Sequence, residues 1–286
     1  METGITIFTP TYNRIYLLNR LYESIRNLNY TNFEWVIVDD GSTDGTENLI
    51  NRFRENANFK LVYEKQENQG KYIAINNGVK LADKELFFIV DSDDWLPENS
   101  LNKIDDYYQK IKLDERFAGV AGLKKVANEN IENIVLHQNE FVSNSLDFRF
   151  LYNYSGDIAE VFRTSILKMF PFPVFKNEKY CKPSLIWNRI AVKYNLLYFN
   201  EYIYHSEYQE GGITSQYSNL MLKNPKSSLK FYQELFSFYS FKNNLELKIK
   251  FLKHYIDIAR NNNYSWIYIL KSLKLKNLWL YFWYKK

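Results

Sequence analysis

Short apolar runs alternate with helically spaced apolar positions through the first 115 residues. Ile5-Thr6-Ile7-Phe8, Glu34-Trp35-Val36-Ile37-Val38, Lys60-Leu61-Val62-Tyr63 and Leu86-Phe87-Phe88-Ile89-Val90 are rich in β-formers and too short for helices, which predicts four strands, the last of them buried. Between them Leu17, Leu18, Leu21, Ile25 and Leu28 recur at helical spacing. Leu49, Ile50 and Phe53 come after Asp44, a candidate N-cap, and Tyr72 to Leu81 predicts a third helix. Parallel strands need crossovers, and these helices supply them, so the pattern predicts an α/β fold with a mostly parallel central sheet and helices on both faces. From Phe117 to Tyr208 the pattern is mixed: Phe117–Val126, Ile131–Leu136 and Leu196–Tyr204 have strand character, and Ser184–Tyr194 is helical. Beyond Met221 the spacing is helical throughout, with one helix over Leu222–Phe236, another over Leu245–Ile258, and a break at Asn261-Asn262-Asn263. The chain therefore divides into 1–215, itself split near residue 115, and a C-terminal helical region over 216–286.

Composition adds two constraints. Aromatic residues make up 18% of the 286 residues, which suits surfaces that bind something flat, sugar-like or interfacial. The net charge of +4 conceals an asymmetry: residues 221–286 hold 13 Lys or Arg against 3 Asp or Glu, a local +10, which leaves −6 for the first 220. A basic tail behind an acidic body suggests an anionic surface for the tail. The single cysteine, Cys181, cannot form an internal disulfide, and the N-terminus lacks the basic and apolar regions of a secretion signal, so a cytoplasmic location is expected. No run approaches the roughly 20 apolar residues that span a bilayer.

Three polar clusters stand directly after three of the strands. They are Thr9-Pro10-Thr11-Tyr12-Asn13-Arg14, Asp39-Asp40-Gly41-Ser42-Thr43-Asp44 and Asp91-Ser92-Asp93-Asp94. In a parallel sheet these ends share one edge, where open α/β sheets place their ligands. Three carboxylates in four residues repel one another, and a divalent cation bridging to phosphate oxygens relieves that repulsion through the hard ligands that Mg²⁺ or Mn²⁺ prefers. Asn68-Gln69-Gly70-Lys71 adds a lysine at a helix start, which faces either phosphate or solvent.

In this order, the motifs Thr-Pro-Thr-Tyr-Asn-Arg, Val-Asp-Asp-Gly-Ser-Thr-Asp, Asn-Gln-Gly-Lys and Val-Asp-Ser-Asp-Asp resemble glycosyltransferase family 2, with its GT-A fold, over about residues 4–110 and more weakly to 215. The resemblance implies a nucleotide-binding half over 1–115 and an acceptor-binding half over 116–215. It assigns Thr9, Tyr12 and Asp40 to the base of a nucleotide, with Asp40 accepting the imino N–H of a uracil-like ring. Arg14, Lys71, Asp91 and Ser92 join the nucleotide site, Asp91 approaching the ribose. Asp93 ligates a Mn²⁺ or Mg²⁺ ion on the diphosphate, with Asp94 as a neighbour. The implied reaction is inverting transfer of a sugar, from a UDP-sugar in particular, to a hydroxyl of a glycan or lipid-linked acceptor in surface polysaccharide synthesis.

One position departs from the family pattern. Six residues before Arg189, where the family carries an acidic general base at a helix start, stands Pro183. Asp157 and Glu178 are the nearby carboxylates that remain as substitutes, Asp157 chiefly as an acceptor-site residue. Two other readings stay open: a nucleotide-sugar-binding chain with weakened catalysis, and a nucleotidyltransferase, which would normally show a Gly-rich phosphate loop near its first strand. No nucleic-acid-reading module is present. His205 reads as a strand-end histidine bonded to backbone, with a phosphate or metal contact as the alternative, and Cys181 as an inert thiol. The segment 264–286, with Trp266, Tyr268, Trp279 and Trp283 among lysines, fits either the inner face of a membrane or packing within or between chains, so the oligomeric state is open.

Overall fold

The computed structural model describes residues 2–127, 136, 138–154, 156–207, 216–241 and 244–273. Among them, strands β1 (Ile5–Thr11), β2 (Phe33–Asp39), β3 (Lys60–Lys65), β4 (Leu86–Ile89), β5 (Phe117–Val126), β6 (Glu140–Ser143), β7 (Ile158–Arg163) and β8 (Asn195–Ser206) form one sheet. Its order is β3-β2-β1-β4-β7-β5-β8-β6. The four strands read from the first 115 residues pair in parallel around β1, with Thr11 opposite Asp39 and Phe8 opposite Ile89. Crossovers run through α1 (Ile15–Arg26), α2 (Thr46–Asn56) and α3 (Lys71–Leu81), and α4 (Ser100–Gln109) comes after β4.

Strand alternation sends successive side chains to opposite faces, and both faces are buried. On one, Ile7, Trp35, Phe88 and Val161 pack against Leu18 and Leu21 of α1, Ile50 and Phe53 of α2, and Ile104 of α4. On the other, Phe8, Val36, Phe87 and Phe162 meet α3, the short helices α5 (Ser145–Phe150) and α6 (Thr164–Met169), and α7 (Ser184–Ala191). That second core continues into α8 (Tyr217–Lys223), α9 (Pro225–Phe238), α10 (Leu245–Asn261) and α11 (Trp266–Ser272). Leu229, Leu235, Leu252, Ile256, Ile269 and Leu273 are all buried in it. Each such side chain contributes about 1.5–3 kcal/mol by leaving water, so the C-terminal helices are structural members of the core up to Leu273.

The local pattern did not reveal a central element. β7 enters antiparallel between β4 and β5, pairing Phe87 with Phe162 and Val120 with Val161. Its signal was present in Ile158-Ala159-Glu160-Val161-Phe162, but the run is short and its partners lie tens of residues away. β6, α5 and α6 were also missed. The cap of α2 is shifted by one: Gly45, at φ +89°, occupies the N-cap. Asp44 still accepts from the Thr46 N–H at 3.1 Å and reaches across to the Ile15 N–H at 3.1 Å, joining the starts of two helices. The expected strand Ile131–Leu136 lies outside the described residues except for Leu136, which is buried.

Candidate active site

Parallel pairing brings the three polar clusters to one edge, as the sheet order requires. The Asp40 N–H donates to the Thr11 carbonyl at 2.8 Å, and the Val90 N–H to the Phe8 carbonyl at 2.8 Å, so all three loops leave the sheet together. Asn13, at φ +50°, stitches the first loop to the second: its N–H donates to Ser42 Oγ at 2.8 Å and its Oδ1 accepts from the Thr43 N–H at 2.9 Å. Neither Asn13 nor Ser42 was singled out in the sequence.

Asp40 is buried, and its carboxylate organises the loop before α3. It accepts from Gln66 Nε2 at 2.7 Å and from the N–H groups of Gln69 and Gly70 at 2.8 and 2.9 Å. A carboxylate offers about four acceptor sites, so roughly one remains for another donor. Gly70 has φ +97°, and a Cβ there would come within 2.0 Å of the Lys179 carbonyl oxygen. Only glycine fits this crossing, which anchors segment 178–180 against the start of α3.

The acidic turn is charge-compensated by the chain itself. Lys71 Nζ lies 2.6 Å from Asp91 Oδ1, and Arg14 lies 3.2 Å from Asp93 Oδ2. Burial works against charge on Lys71, but Asp91, backed by Asp93 and Asp94, outweighs it and raises the lysine's pKa. Burial likewise pushes Asp91 up, and Lys71 together with Lys124 more than reverses it, leaving Asp91 below the usual carboxylate range. Among the described residues Asp94 makes no direct ion pair, and Lys124 acts on it only at a distance. Burial first, then Asp91, pushes it up to about 7 despite the Tyr204 hydroxyl, which donates to Asp94 Oδ2 at 2.5 Å. The same hydroxyl accepts from the Asp91 N–H at 2.9 Å, so one phenol from β8 fixes both ends of the turn. Lys124 Nζ sits 4.1 Å from the Tyr204 ring centroid. Arg20 donates to the Asp93 carbonyl and stacks 4.0 Å over Trp95. Tyr204, Lys124 and Arg20 could not be found by local pattern.

Other expected residues have different surroundings. Thr9 is fully buried and its hydroxyl accepts from Trp35 Nε1 at 2.9 Å, so its side chain supports the edge from within the core. Tyr12 is 47% exposed beyond β1, and Ser92 is buried within the acidic turn. Asp157 is exposed and directly precedes β7, on the same edge as the acidic turn. Glu178 faces elsewhere. It is buried, and its two oxygens accept from the N–H groups of Lys226 and Ser227 at 2.7 and 2.8 Å, which caps the first turn of α9. The expectation that Glu178 replaces the missing base gives way to this structural occupation. Pro183 is the N-cap of α7. His205 exchanges backbone hydrogen bonds with Trp95 at 3.0 and 2.9 Å, and burial, with Lys125 second, lowers its pKa. Cys181 is buried and its thiol is pushed up to about 12 by that burial.

The acidic turn offers hard oxygen donors of the type that Mn²⁺ and Mg²⁺ accept. Among the described residues no three His, Cys, Asp or Glu side chains converge on a common point. Asp93 and Asp94 are the carboxylates of this turn that could hold such a cation.

Comparison with known proteins bears on the fold and the family. The chain is 26% identical over 198 residues to the poly-β-1,6-N-acetyl-D-glucosamine synthase of Staphylococcus epidermidis, a match that covers 69% of this chain and 46% of the synthase. It spans less than half the length of the curated relatives it matches. In structure it resembles S. aureus TarS 1-349 in complex with UDP-GlcNAc, with a TM-score of 0.63 and 21% identity, over 90% of this chain and 81% of that one. It also resembles the mannosyltransferase PcManGT from Pyrobaculum calidifontis in complex with GDP-Man and Mn²⁺, with a TM-score of 0.61 and 19% identity, over 91% of this chain and 74% of that one. These likenesses establish the GT-A fold. Residues 6–178 match the model of glycosyl transferase family 2, and the chain belongs to that family.

Proposed function

We propose that the chain transfers a sugar from a UDP-sugar to a hydroxyl of a glycan or lipid-linked acceptor in surface polysaccharide synthesis, with inversion at the anomeric carbon. The observation that carries this reading is the convergence of Asp40, Arg14, Lys71 and the acidic turn on one edge of the sheet. Tyr12 and the remaining acceptor site of Asp40 receive the base, and Asp91 the ribose. Arg14 and Lys71, now paired with Asp93 and Asp91, turn toward the diphosphate and stabilise the charge that develops on the leaving group. Asp93, with Asp94 beside it, would hold a Mn²⁺ or Mg²⁺ ion, whose chemistry is to neutralise the diphosphate. Support comes from the UDP-GlcNAc complex of TarS and from the polysaccharide synthase relative. Isothermal calorimetry with UDP, with and without Mn²⁺, tests it. Micromolar UDP binding that strengthens with the metal is expected, and no heat in either condition would refute it.

A second reading, a nucleotide-sugar-binding chain with weakened catalysis, is favoured by Pro183 at the start of α7. Donor turnover separates the two. We also place this enzyme at the cytoplasmic face of a membrane. Trp266, Ile267 and Tyr268 of α11 are 40%, 66% and 38% exposed, and Arg260 lies 5.3 Å from the Trp266 ring. No helix among the described residues is long and apolar enough to cross a bilayer. Residues 274–286, including Trp279 and Trp283, lie outside the described residues. Because Ile269 and Leu273 are core, deletion of 274–286 together with Ile267→Ser is the informative change. It is expected to reduce sedimentation with anionic vesicles, and unchanged sedimentation would count against the membrane site.

A further inference from the structure

With Pro183 where the family's base would stand and Glu178 committed to capping α9, the reaction lacks an assigned proton acceptor. We propose that Glu160 of β7 is the catalytic base, an assignment that rests on the glycosyl-transfer reading above. The antiparallel register of β7 against β4 fixes its place. Phe88 pairs with Val161, so Glu160 is the next residue of β7 at the carboxyl end of β4, where the chain runs on through Val90 into the acidic turn.

The side chains of Glu160 and Asp91 share a face. Ile158 and Phe162 belong to the core beneath α3 and α7, and Glu160 alternates with them. Phe87 lies in that same core with Ile89 packed against it, and Asp91 comes next in the same alternation, toward Lys71 at the start of α3. Glu160 therefore sits on the sheet face that carries Lys71, Asp91 and the start of α7, one strand away from the acidic turn.

Its surroundings suit a base. Glu160 is half-buried. The groups acting on it are Arg149 of α5, Lys124 of β5, Asp157 at the entrance of its own strand, and Tyr198 of β8. Lys124 acts also on Asp91 and Asp94, so Glu160 lies within the same local field as the acidic turn. Burial raises its pKa against the pull of Arg149 and Lys124. A carboxylate held above its ordinary value is a stronger proton acceptor once ionised.

In the proposed step the acceptor's O–H proton passes to a Glu160 carboxylate oxygen as the acceptor oxygen bonds to the anomeric carbon. The bond from that carbon to the diphosphate oxygen breaks, and its electron pair leaves on the diphosphate. Asp157, exposed beside it, orients the acceptor.

The test compares wild type with Glu160→Gln, using UDP-GlcNAc, UDP-glucose and UDP-galactose with Mn²⁺ and water in place of the acceptor hydroxyl. UDP release is expected to fall about 10²–10⁴-fold, while UDP affinity by calorimetry stays within about threefold and the acid limb of the pH–rate profile disappears. Should the amide variant fail to fold, Glu160→Asp carries the same test, with a lower rate at unchanged UDP affinity expected. Turnover within about threefold of wild type with an unchanged pH profile overturns the assignment. So does a wild-type chain that binds UDP and releases none from any of the three donors. A wild-type chain that binds no UDP instead overturns the nucleotide reading beneath it.

Discussion

Replacing Glu178 separates a structural carboxylate from a catalytic one. Its two hydrogen bonds to the first-turn N–H groups of α9 are short, at 2.7 and 2.8 Å, and buried. The same junction is held by Asn224, whose Oδ1 accepts from the N–H groups of Lys179 and Tyr180 at 2.9 and 3.1 Å. Glu178→Gln keeps one acceptor oxygen but turns an NH₂ group toward the other N–H. A hydrogen bond to a charged group is worth about 1.5–3 kcal/mol, and a buried donor left unsatisfied costs about 1–3 kcal/mol. Loss of negative charge at a helix N-terminus adds about 0.3–1 kcal/mol. Because the surviving bond offsets part of this, the expected destabilisation is about 2–4 kcal/mol. With an unfolding entropy of about 2.1 cal/mol/K per residue, that lowers the melting temperature by about 3–7 °C for a chain of this size. Thermal melting and urea titration read the loss, and UDP affinity is expected to survive below the transition. A Glu178→Gln protein that melts like wild type yet loses about 100-fold in UDP release would refute the capping argument and restore Glu178 as the base.

Gly70→Ala forces a side chain into a left-handed conformation and against the Lys179 carbonyl. A stability loss of at least about 1–3 kcal/mol is expected, with weaker UDP binding because Asp40 loses its loop; an unaffected melting curve would contradict it. For Asp94, a folded-state pKa near 7 means the folded chain retains a proton that the unfolded chain has released. Its contribution to stability is therefore present below the ordinary carboxylate value and declines as the pH rises toward 7. A cation at the turn expels this proton, so Mn²⁺ affinity in the presence of UDP is expected to rise about fivefold from pH 6 to 7 and to lose that slope in Asp94→Asn. Calorimetry across pH measures this, and a flat wild-type profile would exclude the coupling.

Much of the site's placement was legible because strand and helix periods are local. The runs ending at Phe8, Val38 and Val90 each predicted a strand, and parallel pairing then required Thr11, Asp39 and the acidic turn to share an edge. The roles within that edge were less legible. Nothing near Thr9 announces that the Trp35 indole N–H donates to its hydroxyl, and Glu178 looks like any loop carboxylate until Lys226 and Ser227 arrive from α9. The missed strand β7 had an apolar run of its own, but only its pairing with Phe87 and Val120 shows that it lies in the middle of the sheet.

The sequence by itself determined the alternating α/β elements, the three loops that gather at the carboxyl edge, and the absence of an acidic residue at Pro183. Each depends on side-chain periodicity or residue identity, which neighbouring positions suffice to define. Tertiary structure alone decided how the charges are shared: Lys71 with Asp91, Arg14 with Asp93, and Tyr204 with Asp94 across 110 positions. It also set Glu160 in β7 next to the carboxyl end of β4, from which the acidic turn leaves the sheet. Hydrogen bonds and Coulomb interactions act over a few ångströms of space, and chain separation sets no limit on which groups the folded sheet brings within that range.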